Sequence, residues 1–312
     1  MTTSTTSSTQ EQVSELYESF PYPGHGIISS VLPQLSRKMV GEVRARVATP
    51  RYLDAGCGTG EQTLGMKRSF PELDVTGVDY SEASLGFARN LSTRHGLSAT
   101  FERRDLMKPL DGLAPFDLIT SIGVLMTLPD PAQGFRTLRA AATKGAVFIG
   151  MVYGTYGKWD LFRTRDALNL LAGPDASREQ KLELLADIDT KANTGPLHYL
   201  NMLKQRRQFG PAIAPTEALQ RVLKGRSAAY QADAFTCPQE LTYTWKELSE
   251  MLASTGWEWE GWPQHSGMPD HPSQVLSGEA LIRAEEMTKL ERAAIYERLV
   301  CPGNLFFIAR AA

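Results

Sequence analysis

With 312 residues, 42% of them hydrophobic and 22% charged, the chain can bury a sizeable core as one elaborated domain or one domain with an insertion. A formal net charge of −2 gives no broad electrostatic reason to expect nucleic acid or an anionic membrane as partner, and neither is expected. Cys57, Cys237 and Cys301 are too few and too scattered for a disulfide framework or a C-x-x-C zinc site, so no metal is expected and a reducing cytoplasm is the natural compartment.

The first twelve residues are rich in Ser and Thr, lack the basic start and apolar core of a signal peptide, and read as a disordered tail. No later run is long and apolar enough to span a bilayer. Val13, Leu16, Tyr17 and Phe20 then stand at helical spacing until Phe20-Pro21-Tyr22-Pro23-Gly24-His25-Gly26 breaks the pattern. Two compatible readings follow for this arm: its aromatics pack onto the core, or it closes over a ligand site. A further helix is expected between Ile27 and Val47.

Residues 51–60, Arg-Tyr-Leu-Asp-Ala-Gly-Cys-Gly-Thr-Gly, read as a buried strand that ends in a glycine-rich turn and opens a helix at Glu61. Glycines at alternate positions let the backbone pass close to a neighbour where a Cβ would collide. The dinucleotide fingerprint G-x-G-x-x-G fails, because the third glycine comes one residue early and Glu61 stands in its place. A carboxylate at a helix N-terminus also competes with a pyrophosphate for that end of the dipole. The P-loop is excluded because no Gly-Lys-Ser/Thr follows. An acid just before the first glycine, Asp54, suits a ligand with a cationic amine better than one with phosphates.

Asp54-x-Gly56-x-Gly58-x-Gly60 resembles the first motif of class I S-adenosylmethionine-dependent methyltransferases. The resemblance implies that this loop lies against the methionine and ribose parts of the cofactor, with Asp54 near the amino end. It covers most of 51–153 and, more loosely, 244–310.

Downstream, 74–78 reads as a second strand ending at Asp79, about 20 residues beyond the turn, where doubly wound folds place an acid for ribose hydroxyls. Ser81 is available to cap the next helix, which leaves Asp79 for the ligand, with Tyr80 beside it. A third strand spans 99–103. Asp105 and Leu106 after it resemble the family position that meets the adenine. Phe116 to Ile122 reads as the fourth strand, and its exit resembles the methyltransferase stretch ending in Leu-Pro-Asp-Pro. Many relatives carry a histidine where Thr127 stands, so this loop is not expected to supply a base, while Ser121 and Ile122 remain cofactor contacts. A return helix from Ala132 and a fifth strand, 146–153, complete an alternation that implies a Rossmann-like, doubly wound, mostly parallel α/β sheet with ligands beyond the carboxyl ends of its strands.

After Tyr153 the pattern turns helical to about residue 243, with a Ser177-x-x-Gln180 capping box. That is too long for a loop, and it reads as a helical insertion. The resemblance makes such insertions caps over the substrate; a structural elaboration or dimer surface is the rival. His198 falls here. A second capping box at Thr244-x-x-Glu247 resumes the parent fold. An alternating strand, 257–262, a charged helix from Gly278 to Val300 and a closing strand, 304–309, end the chain. The charged helix reads as a solvated outer layer or an oligomer contact, a homodimer being the form in view. The expected organisation is therefore an N-terminal tail and lid arm (1–50), a cofactor core (51–153), an insertion (154–243) and a return to the sheet (244–312).

Methyl transfer from a sulfonium needs alignment more than acid or base, so the missing Ser/His/Asp arrangement does not argue against enzyme activity. Tyr22, His25, Tyr153 and His198 are the candidates for contacting or deprotonating the acceptor. No Asn/Asp-Pro-Pro-Tyr/Phe motif follows the fourth strand, which favours a small-molecule acceptor. The alternatives are a peptide or protein methyltransferase and a cofactor-binding regulatory protein without turnover.

Overall fold

A computed structural model describes residues 9–24, 26, 31–113, 115–187 and 227–312. It divides into two compact units, Met1–Lys158 with Pro238–Ala312, and Trp159–Cys237. The first contains a helix α1 (Thr9–Ser19), α2 (Val31–Arg44), then β1 (Arg51–Ala55), α3 (Glu61–Ser69), β2 (Asp74–Asp79), α4 (Glu82–His95), β3 (Thr100–Arg103), β4 (Phe116–Ile122), α5 (Pro131–Ala140) and β5 (Ala142–Gly154). The second holds α6 (Trp159–Ala172), α7 (Arg178–Asp187) and α8 (Ala228–Thr236), which share the core residues Leu168, Leu185, Ala234 and Phe235. The chain then returns to the first unit as β6 (Thr242–Tyr243), α9 (Trp245–Ser254), β7 (Trp257–Gly261), α10 (Gly278–Glu286), α11 (Lys289–Val300) and β8 (Asn304–Ala311).

The strands form one sheet in the order β3-β2-β1-β4-β5-β8-β7, with the short β6 also paired to β5. Pairing is parallel from β3 to β5, and β8 is antiparallel to both of its neighbours. Its two faces are filled differently. Aliphatic residues of α2, including Met39, Val40 and Val43, cover Tyr52, Val75, Leu118, Val147, Ile149 and Ile308 on one face. On the other, Phe148 and Phe307 meet edge to face with ring centroids 5.1 Å apart, and Phe135 and Trp257 pack against Phe148. Gly150 makes that packing possible, since a Cβ there would lie 2.1 Å from the Phe307 ring.

Several helix ends follow the sequence signals. Thr244 and Glu247 form the expected capping box, Ser177 and Gln180 bond each other's backbone, and Ser81 accepts from the Ser84 N–H. The outer charged helix differs from expectation. It is two helices, broken at Met287 and restarted by a Thr288–Glu291 capping box. Nor does the N-terminal tail run to residue 12: a helix begins at Thr9, and residues 1–8 lie outside the described residues. No helix among the described residues is long and apolar enough to cross a membrane.

Candidate cofactor and acceptor site

The glycine turn after β1 is held by its surroundings one residue at a time. Gly56, Gly58 and Gly60 all have positive φ, and a Cβ on each would strike a different element. At Gly56 it would lie 2.2 Å from Val124 after β4, at Gly58 2.4 Å from the Tyr22 carbonyl oxygen, and at Gly60 2.7 Å from the Ala88 Cβ of α4. The turn is glycine-rich because three protein segments converge on it.

Below it, a chain of buried polar groups runs across the sheet. The Tyr52 hydroxyl lies 2.6 Å from the Thr120 hydroxyl, Thr120 donates to one Asp54 oxygen at 2.9 Å, and Thr63 donates to the other at 2.5 Å. Burial raises the Asp54 carboxyl to about 6, although both threonine hydrogen bonds oppose the shift. Asp79 accepts from the Gly58 N–H at 2.8 Å and the Ser81 N–H at 2.9 Å, so it braces the turn. Burial raises its carboxyl too, against backbone donors at Ser81, Gly58 and Tyr80.

Register fixes which side chains share this face. Asp54 pairs with Gly77 and with Thr120, Thr120 pairs with Ile149, and Tyr153 pairs with Asn304. Since side chains alternate, Asp54, Asp79, Thr120, Ile122, Tyr153 and Asn304 point to one side along the rim formed by the carboxyl ends of the parallel strands and the amino end of β8. Ser121 points to the other and donates its hydroxyl to the Ala55 carbonyl at 2.9 Å. Tyr80 is 38% exposed, with the Arg103 guanidinium over its ring at 5.2 Å. Asp105 accepts from the Met107 N–H and lies 3.6 Å from the Lys108 ammonium, with Leu106 buried beside it.

The N-terminal arm lies across the turn. Thr59 donates its N–H to the Tyr22 carbonyl at 3.0 Å, Gly24 donates to the Thr59 hydroxyl at 3.3 Å, and Gly26 donates to the buried Glu61 carboxylate at 2.9 Å. Glu18, at the end of α1, accepts from the Glu82 and Ala83 N–H groups and so occupies the N-terminus of α4. Thr59, Thr63, Thr120 and Glu18 were not singled out from the sequence, and Glu61 figured there only as the helix-opening acid that disfavours a pyrophosphate. Of the acceptor-side candidates, Tyr22 and Tyr153 are in the described residues; His25 and His198 lie outside them.

Asp54, Glu61 and Asp79 all lie beside the glycine turn. Three carboxylates about one turn disfavour phosphate and fit a cationic ligand that also carries hydroxyls. Residues 48–182 match a family model described as a methyltransferase domain. Over residues 48–182 the chain thus carries a methyltransferase domain. The match covers the sheet from β1 to β5, including every rim residue named above except Asn304.

An uncharacterised protein of Synechococcus sp. is 23% identical over 94% of this chain and 69% of its own length. The trans-aconitate 2-methyltransferase of Variovorax paradoxus is 39% identical over 111 residues, which are 34% of this chain and 40% of that enzyme. The structure of PKMT2 from Rickettsia typhi in complex with AdoHcy shares the fold, with a TM-score of 0.67 and 14% identity over 93% of this chain and 54% of that one. The methyltransferase domain is thus placed on a shared scaffold, while the relatives extend well beyond it.

Proposed function

We propose that the protein transfers the methyl group of S-adenosylmethionine to a small-molecule acceptor by in-line displacement. The observation that carries this reading is the single face of the rim, on which Asp79 and Asp54 are continuous with Ile122 and Tyr153. When bound, S-adenosylmethionine supplies an electrophilic methyl on a sulfonium, whose departure needs no acid. Asp79 accepts from the ribose hydroxyls and keeps the Gly58 N–H in place. Asp54 lends negative charge to the amino end, and its Thr63 and Thr120 partners fix its orientation. Tyr80 and Leu106 would hold the adenine ring and Asp105 would accept from its exocyclic amine, while Ser121 acts indirectly, by tying β4 to β1.

The arm closes over the turn, and with Tyr22 and Tyr153 it confines the acceptor. A small acceptor is supported by what covers the exit of β4. Residues 238–243 run over it: Leu241 donates its N–H to the Met126 carbonyl at 3.0 Å, Gln239 donates its side-chain N–H to the Leu128 carbonyl at 2.6 Å, and β6 pairs with the end of β5. That strap takes up backbone groups which an extended peptide would need for pairing. Calorimetric binding of S-adenosylmethionine and S-adenosylhomocysteine, followed by a homocysteine-release screen over phenols, carboxylic acids, amines and thiols, tests the reading. Binding with turnover of a panel member is expected; no binding of either compound removes it.

A further inference from the structure

The rim residue outside the family match is Asn304, and it carries an unmade hydrogen bond. Its amide oxygen is buried and has no donor within reach among the described residues. Buried polar atoms are almost always paired, because leaving one unpaired forfeits the hydrogen bond it made to water. The atom sits at the first position of β8, opposite Tyr153, on the face that carries Asp54 and Asp79. The same row continues away from the rim as Phe306 and Ile308, both apolar, and ends at Arg310, whose guanidinium is paired with Glu42 and Glu260, so the polar side chain of this row at the rim is Asn304.

The backbone around it is firmly set. Gly154 donates its N–H to the Gly303 carbonyl at 3.1 Å, and a Cβ on Gly157 would lie 2.3 Å from the Gly303 nitrogen, so the loops after β5 and before β8 are in close contact. Over them lies Lys158. Its ammonium is 3.6 Å from the centroid of the Tyr153 ring, and its Cε is 3.8 Å from the point where Gly303 would carry a Cβ. A four-carbon side chain can swing clear without moving the backbone, which gives the pair a removable cover.

Resting on the proposed function, we infer that Asn304 positions the methyl acceptor, its amide oxygen accepting a hydrogen bond from an O–H or N–H of that molecule beside Tyr153. An amide oxygen cannot take a proton at neutral pH, so Asn304 orients the acceptor and is not its base. The preferred acceptor class is therefore hydroxyl- or amine-bearing, and thiolates or carboxylates without a further donor are disfavoured.

The test compares wild type with Asn304→Leu and Asn304→Asp in the full chain. Three quantities are read: thermal midpoint without ligand, calorimetric affinity for S-adenosylhomocysteine, and homocysteine release over the same panel. Asn304→Leu removes the orphaned oxygen at similar volume, so it is expected to raise the midpoint, bind S-adenosylhomocysteine within about twofold of wild type, and lose about tenfold or more in kcat/KM on a hydroxyl or amine acceptor. Asn304→Asp, which keeps an accepting oxygen, is expected to stay within about threefold of wild type. A lower midpoint with unchanged kcat/KM in Asn304→Leu would make the residue structural and overturn the inference, as would a wild type that uses only acceptors lacking a donor. A wild type that binds no S-adenosylhomocysteine and releases no homocysteine instead removes the methyltransferase reading, and this inference with it.

Discussion

With Asp54 at the amino end of the cofactor, as proposed, binding is expected to depend on pH in a window that can be worked out. Its carboxyl is raised from its ordinary 3.8 to about 6 by burial, so the unliganded fold holds it protonated in acid that would ionise an exposed aspartate. Ionising it costs the empty fold about 3 kcal/mol relative to an aspartate in the unfolded chain. The sign for stability follows: the folded state binds the proton more tightly, so unliganded stability falls as pH rises from about 4 to about 6 and is flat above. For a cationic cofactor the sign reverses, because positive charge favours the carboxylate. Affinity is then full above pH 7, and at pH 5 only about one molecule in ten is already ionised, so the apparent Kd for S-adenosylmethionine should weaken about tenfold, or about 1.4 kcal/mol.

Titration calorimetry between pH 5 and pH 8 reads this slope. Repeating it near pH 6 in two buffers of different ionisation enthalpy should show release of about half a proton per cofactor bound. Asp79, also raised by burial, adds to the slope with the same sign, so the Asp54→Asn variant isolates the Asp54 share. An affinity unchanged from pH 8 to pH 5, or a slope that persists in full in Asp54→Asn, would refute the reasoning.

Asp79→Ala should weaken cofactor binding by about tenfold or more without unfolding the chain, because it removes both the proposed ribose acceptor and the partner of the Gly58 N–H; unchanged calorimetric affinity would count against the role. Gly58→Ala places a methyl 2.4 Å from the Tyr22 carbonyl oxygen at a positive φ and should displace the arm. Left-handed strain plus the lost Thr59–Tyr22 hydrogen bond amount to about 2–3 kcal/mol, seen as a lower thermal midpoint and faster proteolysis near Tyr22. An arm that stays protected in that variant would show that it does not depend on the turn. Tyr153→Phe should depress turnover more than cofactor affinity, and kinetics equal to wild type would remove Tyr153 from the acceptor site.

The parallel sheet was legible because β1, β2, β4 and β5 carry short apolar runs closed by an acid or a glycine, and the return to it was legible because the Thr244–Glu247 capping box marks the next helix. Thr288–Glu291 is the same signal, yet it lay inside a continuous charged pattern and went unread, so one helix was expected where there are two. β6 has two residues, too few for any periodicity to register. At the rim, Asp54 and Asp79 stood out as acids at strand ends, whereas Thr63 and Thr120 are defined by what they touch across 9 and 66 residues of sequence. Ser121 and Ile122 were grouped because they are consecutive, and for that reason they face opposite ways. The arm's hold on the turn uses the Tyr22 carbonyl, a group every residue possesses, so no side-chain pattern announces it.

The pairing of β6 with β5 bears on how this chain can change over evolutionary time. Tyr153 and Gly154 are ladder partners of Thr242 and Tyr243, so the strand that leaves for the second unit and the strand that comes back are neighbours about 4.8 Å apart. Everything from Trp159 to Cys237 is thereby attached through two adjacent threads at one rim of a sheet whose register is complete without it. Lengthening, shortening or exchanging that stretch alters a loop closed across a fixed gap, at a cost that grows only with the logarithm of its length.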